Sequence, residues 1–160
     1  MKKYVLFFIL VVAVLAYAQE NAYMELLRSD LKTEKKAVIV NVMNFTDAES
    51  KVFWPIYREY EAERAKLGDR MLALLKDYVE NYDDLSNDKA EKLVKESFKI
   101  KEKQLKLKEK YYNKVKKALN PVRAAQWIQL ENQLDLILEI QIAQQLPLIE
   151  PDDIPAPDHK

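Results

Sequence analysis

A single glycine, Gly68, serves all 160 residues. Average usage would supply roughly eleven. Glycine is the default residue wherever a backbone must turn tightly or take a positive φ. Its scarcity excludes the Rossmann fingerprint, the P-loop and the nucleophile elbow, each of which needs glycines at fixed offsets. It also argues against a many-turned β-sandwich, whose hairpins want Gly or Asn-Gly. The chain has no cysteine. Disulfides, thiolate nucleophiles and Cys-type zinc or iron–sulfur sites are therefore excluded as well. Long helices remain, on a length that suits one domain with a modest core.

Helical periodicity divides the chain into four segments. The first spans about 22–43, with Leu27, Leu31, Val38 and Val42 near one face. Its β-branched run Val38-Ile39-Val40 favours a strand, but no second strand offers itself as a partner, so a helix is expected. The second opens at Thr46, with Glu49 completing a capping box, and runs to about Tyr82. Phe53, Tyr60, Leu67 and Leu74 recur every seven residues, interleaved with Tyr57, Arg64, Met71 and Tyr78. Such a seam belongs to a long helix packed lengthwise on another. Pro55 falls in its first turns, where a missing N–H matters less. Gly68 costs about 1 kcal/mol in mid-helix, and marks either a bend, a close approach by a neighbour, or simple tolerance.

The third segment is capped by Ser86, Asn87 or Asp88 and runs to about Leu119. It carries two apolar stripes, Val94, Phe98, Leu105, Tyr112, Val115 and Leu119, and beside it Leu93, Ile100, Leu107 and Tyr111. Two stripes mean either one wide buried face, or one face for the core and one for a partner. Asn120 as N-cap and Pro121 at the first helical position open the fourth segment. It runs to about Gln145, with Trp127, Leu130, Leu134, Ile137 and Leu138 expected to point inward. Pro147 ends it. Residues 150–160, acidic and rich in proline, read as a disordered tail.

Residues 1–18 carry an address. Lys2 and Lys3 precede an apolar run from Tyr4 to Leu15, and Ala16-Tyr17-Ala18 supplies a small-x-small cleavage pattern. This is the form of a secretory signal peptide cleaved between Ala18 and Gln19. The alternative, an uncleaved anchor, wants about 20 apolar residues. A short signal of this kind suits a bacterial exporter and the periplasm. The sequence thus divides into a signal peptide (1–18), a helical domain (19–149) and the tail (150–160), with no stable membrane insertion expected after cleavage.

Charge is segregated. Residues 46–84 are net −4, residues 89–117 net +8, and residues 131–160 net −6. Lys95, Lys99, Lys103, Lys106, Lys110, Lys114 and Lys117 follow steps of three and four and form one straight stripe. The bland reading is a solvated face with i,i+4 partners and acidic neighbours. The functional reading is a surface that meets acidic or unfolded polypeptide, or an anionic membrane. Nucleic acid is not expected, given export, the acidic remainder and the all-lysine stripe, which lacks the bidentate arginine fork. His159 stands alone in the tail, so no His-based catalytic pair or metal site can form within a core. Asp83-Asp84 and Asp152-Asp153 lack the alternating ligands and glycine of a calcium loop. No cofactor, metal or catalytic residue is expected, and the protein does not read as an enzyme.

With Phe45-Thr46-Asp47-Ala48-Glu49 opening one helix and Leu119-Asn120-Pro121 another, after a signal peptide, the chain resembles the Spy/CpxP-type family of periplasmic helical proteins, named for a repeated Leu-Thr-x-x-Gln motif. It is also similar to small periplasmic helical proteins with a Phe-Trp-Pro-x-Tyr segment, here Phe53-Trp54-Pro55-Ile56-Tyr57. The resemblance covers roughly residues 24–149. Phe45 stands for Leu and Glu49 for Gln in the first copy, and Asn120 for Thr and Arg123 for Gln in the second. The resemblance implies a helical hairpin that dimerises into a curved cradle and holds unfolded clients without ATP. Some relatives restrain a sensor kinase or bind zinc, but the His and Cys ligands of the zinc branch are absent here.

These readings converge on an all-α fold, an elongated antiparallel helical hairpin with shorter flanking helices, paired as a homodimer. The expected function is a periplasmic, ATP-independent chaperone-like or envelope-stress protein. It would hold unfolded or partly folded envelope proteins on Lys95, Lys99, Lys103, Lys106, Lys110, Lys114 and Lys117, with Phe98, Leu105 and Tyr112 in apolar contact. The alternatives are a regulatory adaptor for one specific envelope or sensor protein, and a structural envelope protein.

Overall fold

The computed structural model describes residues 34–150. The signal peptide, its cleavage site, the first part of the opening helix, and the tail beyond Glu150 lie outside these residues. The described part is all-α, with no strand. The chain divides into two compact units, one ending at Asn44 and one beginning at Phe45.

In the first unit, residues 34–43 form helix α1. The β-branched run is helical after all, since no strand is there to pair with it, and Ile39 and Met43 are fully buried. Asn44 takes a positive φ of 43° while its N–H donates to the Val40 carbonyl at 3.1 Å. Asparagine tolerates this left-handed position better than any residue but glycine, so it can stop a helix in a chain with almost no glycine.

The second unit holds α2 (Asp47–Glu80), a 3₁₀ turn (Tyr82–Asp84), α3 (Asn87–Ala118) and α4 (Pro121–Ala143). Each helix starts where its cap residue dictates. The Thr46 hydroxyl accepts from the Glu49 N–H at 3.2 Å, and the Glu49 carboxylate accepts from the Thr46 N–H at 2.9 Å. Ser86 accepts from the Lys89 N–H at 3.3 Å, and Asn120 from the Arg123 N–H at 2.9 Å. These contacts satisfy backbone donors that a helix start leaves without a partner.

Side-chain pairs fix the directions of the helices. Glu59 meets Lys114 at 2.6 Å, Glu63 meets Lys110 at 2.7 Å, Arg70 meets Glu96, and Asp77 meets Lys89 at 2.6 Å. The numbers fall on one helix as they rise on the other, so α2 and α3 run in opposite directions. Between α2 and α4 they rise together: Glu49 with Arg123 at 2.8 Å, Tyr60 with Glu131 at 3.1 Å, and Arg64 with Asp135 at 2.5 Å. Lys108 joins α3 to α4 through Asp135 at 2.7 Å and Asn132 at 2.8 Å. The α4 helix therefore engages both others.

Two closely packed pairs, α2 with α3 and α3 with α4, leave the α2 and α4 backbones further apart. Large side chains fill the space between them. Phe53, Tyr57, Tyr60, Tyr111 and Trp127 are buried together. Trp127 lies edge-on to Tyr60 at 5.2 Å and to Phe53 at 6.1 Å, and Tyr60 edge-on to Tyr111 at 5.5 Å. Rings crossed this way set positive edge against negative face. Among the described residues the Trp127 indole N–H has no acceptor, a cost its buried area must outweigh.

Several expected positions differ. The α2 seam is fully buried only at Phe53, Tyr57 and Tyr60, whereas Arg64, Leu67, Met71, Leu74 and Tyr78 are half-buried. On α3 the core takes Leu93, Ile100, Leu107, Tyr111 and Val115, while Val94, Phe98 and Leu105 of the other stripe are exposed. On α4, Trp127 and Leu130 are buried, but Ile137 and Leu138 face solvent. Past Asp135 no facing aromatic layer remains to receive them. A β-carbon built on Gly68 meets nothing within 4 Å, so no neighbour in the described chain approaches it closely.

Candidate functional site

The features of α3 sort by angle. At 100° per residue its lysine stripe and its Phe98–Leu105–Tyr112 stripe lie about 130° apart around the axis. The buried face of Leu93, Ile100, Leu107, Tyr111 and Val115 lies across the axis from that arc, about a third of a turn from each stripe. The structure thus puts the lysines on one flank of α3, beside α2, and the apolar stripe on the other flank, beyond the Lys108 contact with α4. The two sets occupy separate flanks of the helix.

On the lysine flank the environments differ along the helix. Lys110 and Lys114 are clamped to Glu63 and Glu59 and lie 5.0 and 4.6 Å from the Tyr111 ring centroid. Lys95 pairs with Glu91, and Lys106 with Glu102, one turn back on their own helix. Lys92, Lys99, Lys103 and Lys117 make no ion pair with any described residue. Lys110 and Lys114 therefore carry interhelical pairs, whereas Lys99 and Lys103 make no close pair and act through space on Glu96, which Arg70 holds. The Lys110 hydrogen bond, then the Tyr111 hydroxyl, hold the Glu63 carboxylate below its ordinary pKa.

On the other flank Phe98 and Leu105 are each 68% exposed, and Tyr112 is half-buried with Lys116 over its ring at 5.4 Å. Sequence periodicity placed a stripe here but could not say which of two adjacent stripes faces the core. Leu136 (57% exposed) and Ile140 (49%) were not foreseen as surface residues. Antiparallel packing through Lys108 and Asp135 sets Leu136 level with Leu105, and Ile140 about one turn short of Phe98. The signal was present in the sequence: α4 beyond Asp135 is apolar all round, with Glu139 its only charge, and one helix face cannot bury all of that.

Between α2, α3 and α4 lies a polar seam. Glu131 is fully buried and accepts from the Tyr60 hydroxyl. Burial first, and the Glu131 charge second, push the Tyr60 and Tyr57 hydroxyls well above the ordinary tyrosine pKa. Burial opposes the Asp135 carboxylate, but the Arg64 charge and the Lys108 hydrogen bond prevail and hold its pKa below the usual value. Both carboxylates of this seam have a cationic or hydroxyl neighbour, an arrangement that fixes register between helices. Among the described residues no three His, Cys, Asp or Glu side chains gather to hold a metal ion, and no helix is long and apolar enough to cross a membrane.

Comparison with family models, with curated proteins and with solved structures found no match.

Proposed function

We propose that this is an exported, periplasmic, ATP-independent chaperone-like or envelope-stress protein that holds unfolded polypeptide on the outer surface of α3. One observation carries the reading: Phe98 and Leu105 stand two-thirds exposed on a helix whose other open flank is rich in lysine. Burying such side chains is worth roughly 1.5–3 kcal/mol each, so leaving them in water favours a partner that covers them. Two separate flanks suit two kinds of contact. The lysines attract acidic segments at long range, and the apolar stripe grips non-polar ones at short range. The body is read as an elongated antiparallel hairpin of α2 and α3, and exposed Leu136 and Ile140 support pairing with a second copy.

The test uses the chain from Gln19 onward, added to a denatured client diluted into low- and high-salt buffer and followed by light scattering. Suppressed aggregation that weakens in the double variant Phe98→Ser, Leu105→Ser supports the reading. Suppression that also weakens with salt, and in Lys99→Glu, Lys103→Glu, assigns the steering role to the lysines. No suppression with several unrelated clients overturns it in favour of an adaptor for one partner. Sedimentation velocity, with Leu136→Ser, Ile140→Ser as the disrupting variant, tests the dimer.

A further inference from the structure

We infer that the open lysines at the start of α3 are a docking face for an acidic, proline-spaced peptide, and that the chain's own residues 151–158 occupy it when no client is present. The inference rests on the lysine flank being part of the client surface and names the chemistry of what binds there. Three observations meet. Lys92, Lys99 and Lys103 make no ion pair with any described residue, while their counterparts nearer the end of α3, Lys110 and Lys114, are held by α2.

The second observation is where the chain leaves α4. The Tyr78 hydroxyl donates to the Pro147 carbonyl at 2.7 Å and the Tyr82 hydroxyl to the Leu148 carbonyl at 2.6 Å. These tethers fix the exit at the end of α2. That is also where α3 begins, as the Asp77–Lys89 pair shows. The third is composition. From Pro151 the sequence reads Pro-Asp-Asp-Ile-Pro-Ala-Pro-Asp, three acids and no base in eight residues. Its prolines oppose any helix that would carry the acids out of line. Reach is sufficient: the ten residues 149–158 span up to about 33 Å when extended, whereas Lys89 to Lys103 rises only about 21 Å along α3. The tail then competes with acidic client segments for the same cations.

The cysteine-free chain makes the test direct. In the chain from Gln19 onward, Ala156→Cys keeps every acid of the tail. It is combined with Lys99→Cys on the open lysine flank, or with Lys101→Cys on the far side of the same helix at the same level. Disulfide formation is timed without client, so its result is independent of whether clients bind at all. The expected result is a rate at least about tenfold higher for the Lys99 pair. That rate should collapse to the Lys101 value in 1 M salt, where screening acts within about 3 Å, and in the variant Asp152→Asn, Asp153→Asn, Asp158→Asn. Equal rates at the two positions, or a Lys99 rate indifferent to salt and to the three neutralised acids, overturns the inference. Client binding measured by light scattering would survive that failure. Should the tail dock, the same neutralised variant suppresses aggregation of an acidic client more strongly than the parent.

Discussion

Replacing the lone glycine tests the helix arithmetic and the surface of α2 together. Gly68 lies near the middle of a 34-residue helix with no positive φ, and a β-carbon there meets nothing within 4 Å. Gly68→Ala therefore adds no clash and no buried contact. What remains is intrinsic: glycine is about 1 kcal/mol worse than alanine in a helix interior, chiefly because it frees the unfolded chain. At about 2.1 cal/mol/K per residue over the roughly 115 described residues, 1 kcal/mol raises Tm by about 4 °C. The reciprocal change Ala73→Gly, at an exposed position one and a half turns on, should lower it by a similar amount. Thermal and urea unfolding followed by far-ultraviolet circular dichroism reads both. A loss of stability in Gly68→Ala would refute the reasoning. It would mean that something beyond the described residues, such as a helix of a second copy, approaches the backbone at residue 68. A gain without the matching loss in Ala73→Gly would show that the helix around residue 73 frays before the rest of the fold unfolds.

Further expectations follow from the core and the charge seam. Trp127→Ala empties the centre of the aromatic cluster and should cost about 3–5 kcal/mol, read as a large fall in the urea midpoint. Asp135 is held below its ordinary pKa, so its contribution is full above the unfolded carboxylate range near pH 4 and is lost as pH falls through the folded value. Asp135→Asn should flatten the acid limb of the stability profile while leaving its alkaline limb unchanged. Tyr60 and Tyr57 are held above theirs, and their unfolded forms ionise near pH 10. Stability should therefore fall above about pH 10 as the unfolded state alone gives up protons. Tyr60→Phe should soften that decline, with tyrosinate absorbance at 295 nm appearing only as the helices melt.

The helices and their starts were legible in sequence because they depend on neighbours within one turn. The Thr46–Glu49 box, the Ser86 cap and the Asn120-Pro121 start are each made by residues three or fewer apart. An all-α fold followed from the scarcity of glycine, whereas Asn44 as a left-handed helix stop emerged only from the structure. The seven-residue spacing named Phe53, Tyr57 and Tyr60 as core, and they are.

What the sequence left open depends on rotation about a helix axis and on distances between helices. The two stripes of α3 lie about a third of a turn apart, and periodicity alone allows either to face inward. Only the presence of α2 on one side and α4 on the other buries Leu93, Ile100 and Leu107 and leaves Phe98 and Leu105 in water. The lysine stripe likewise looked uniform. Tertiary packing split it, because the α2 glutamates Glu59 and Glu63 come level with Lys114 and Lys110, while Lys99 and Lys103 are given no such counterion. Glu131 was one acid among many until the fold buried it against the Tyr60 hydroxyl. Periodicity is a property of a single helix and can be read from one strand of text. Burial belongs to the pair of surfaces that meet, and it exists only once the third helix has chosen its side.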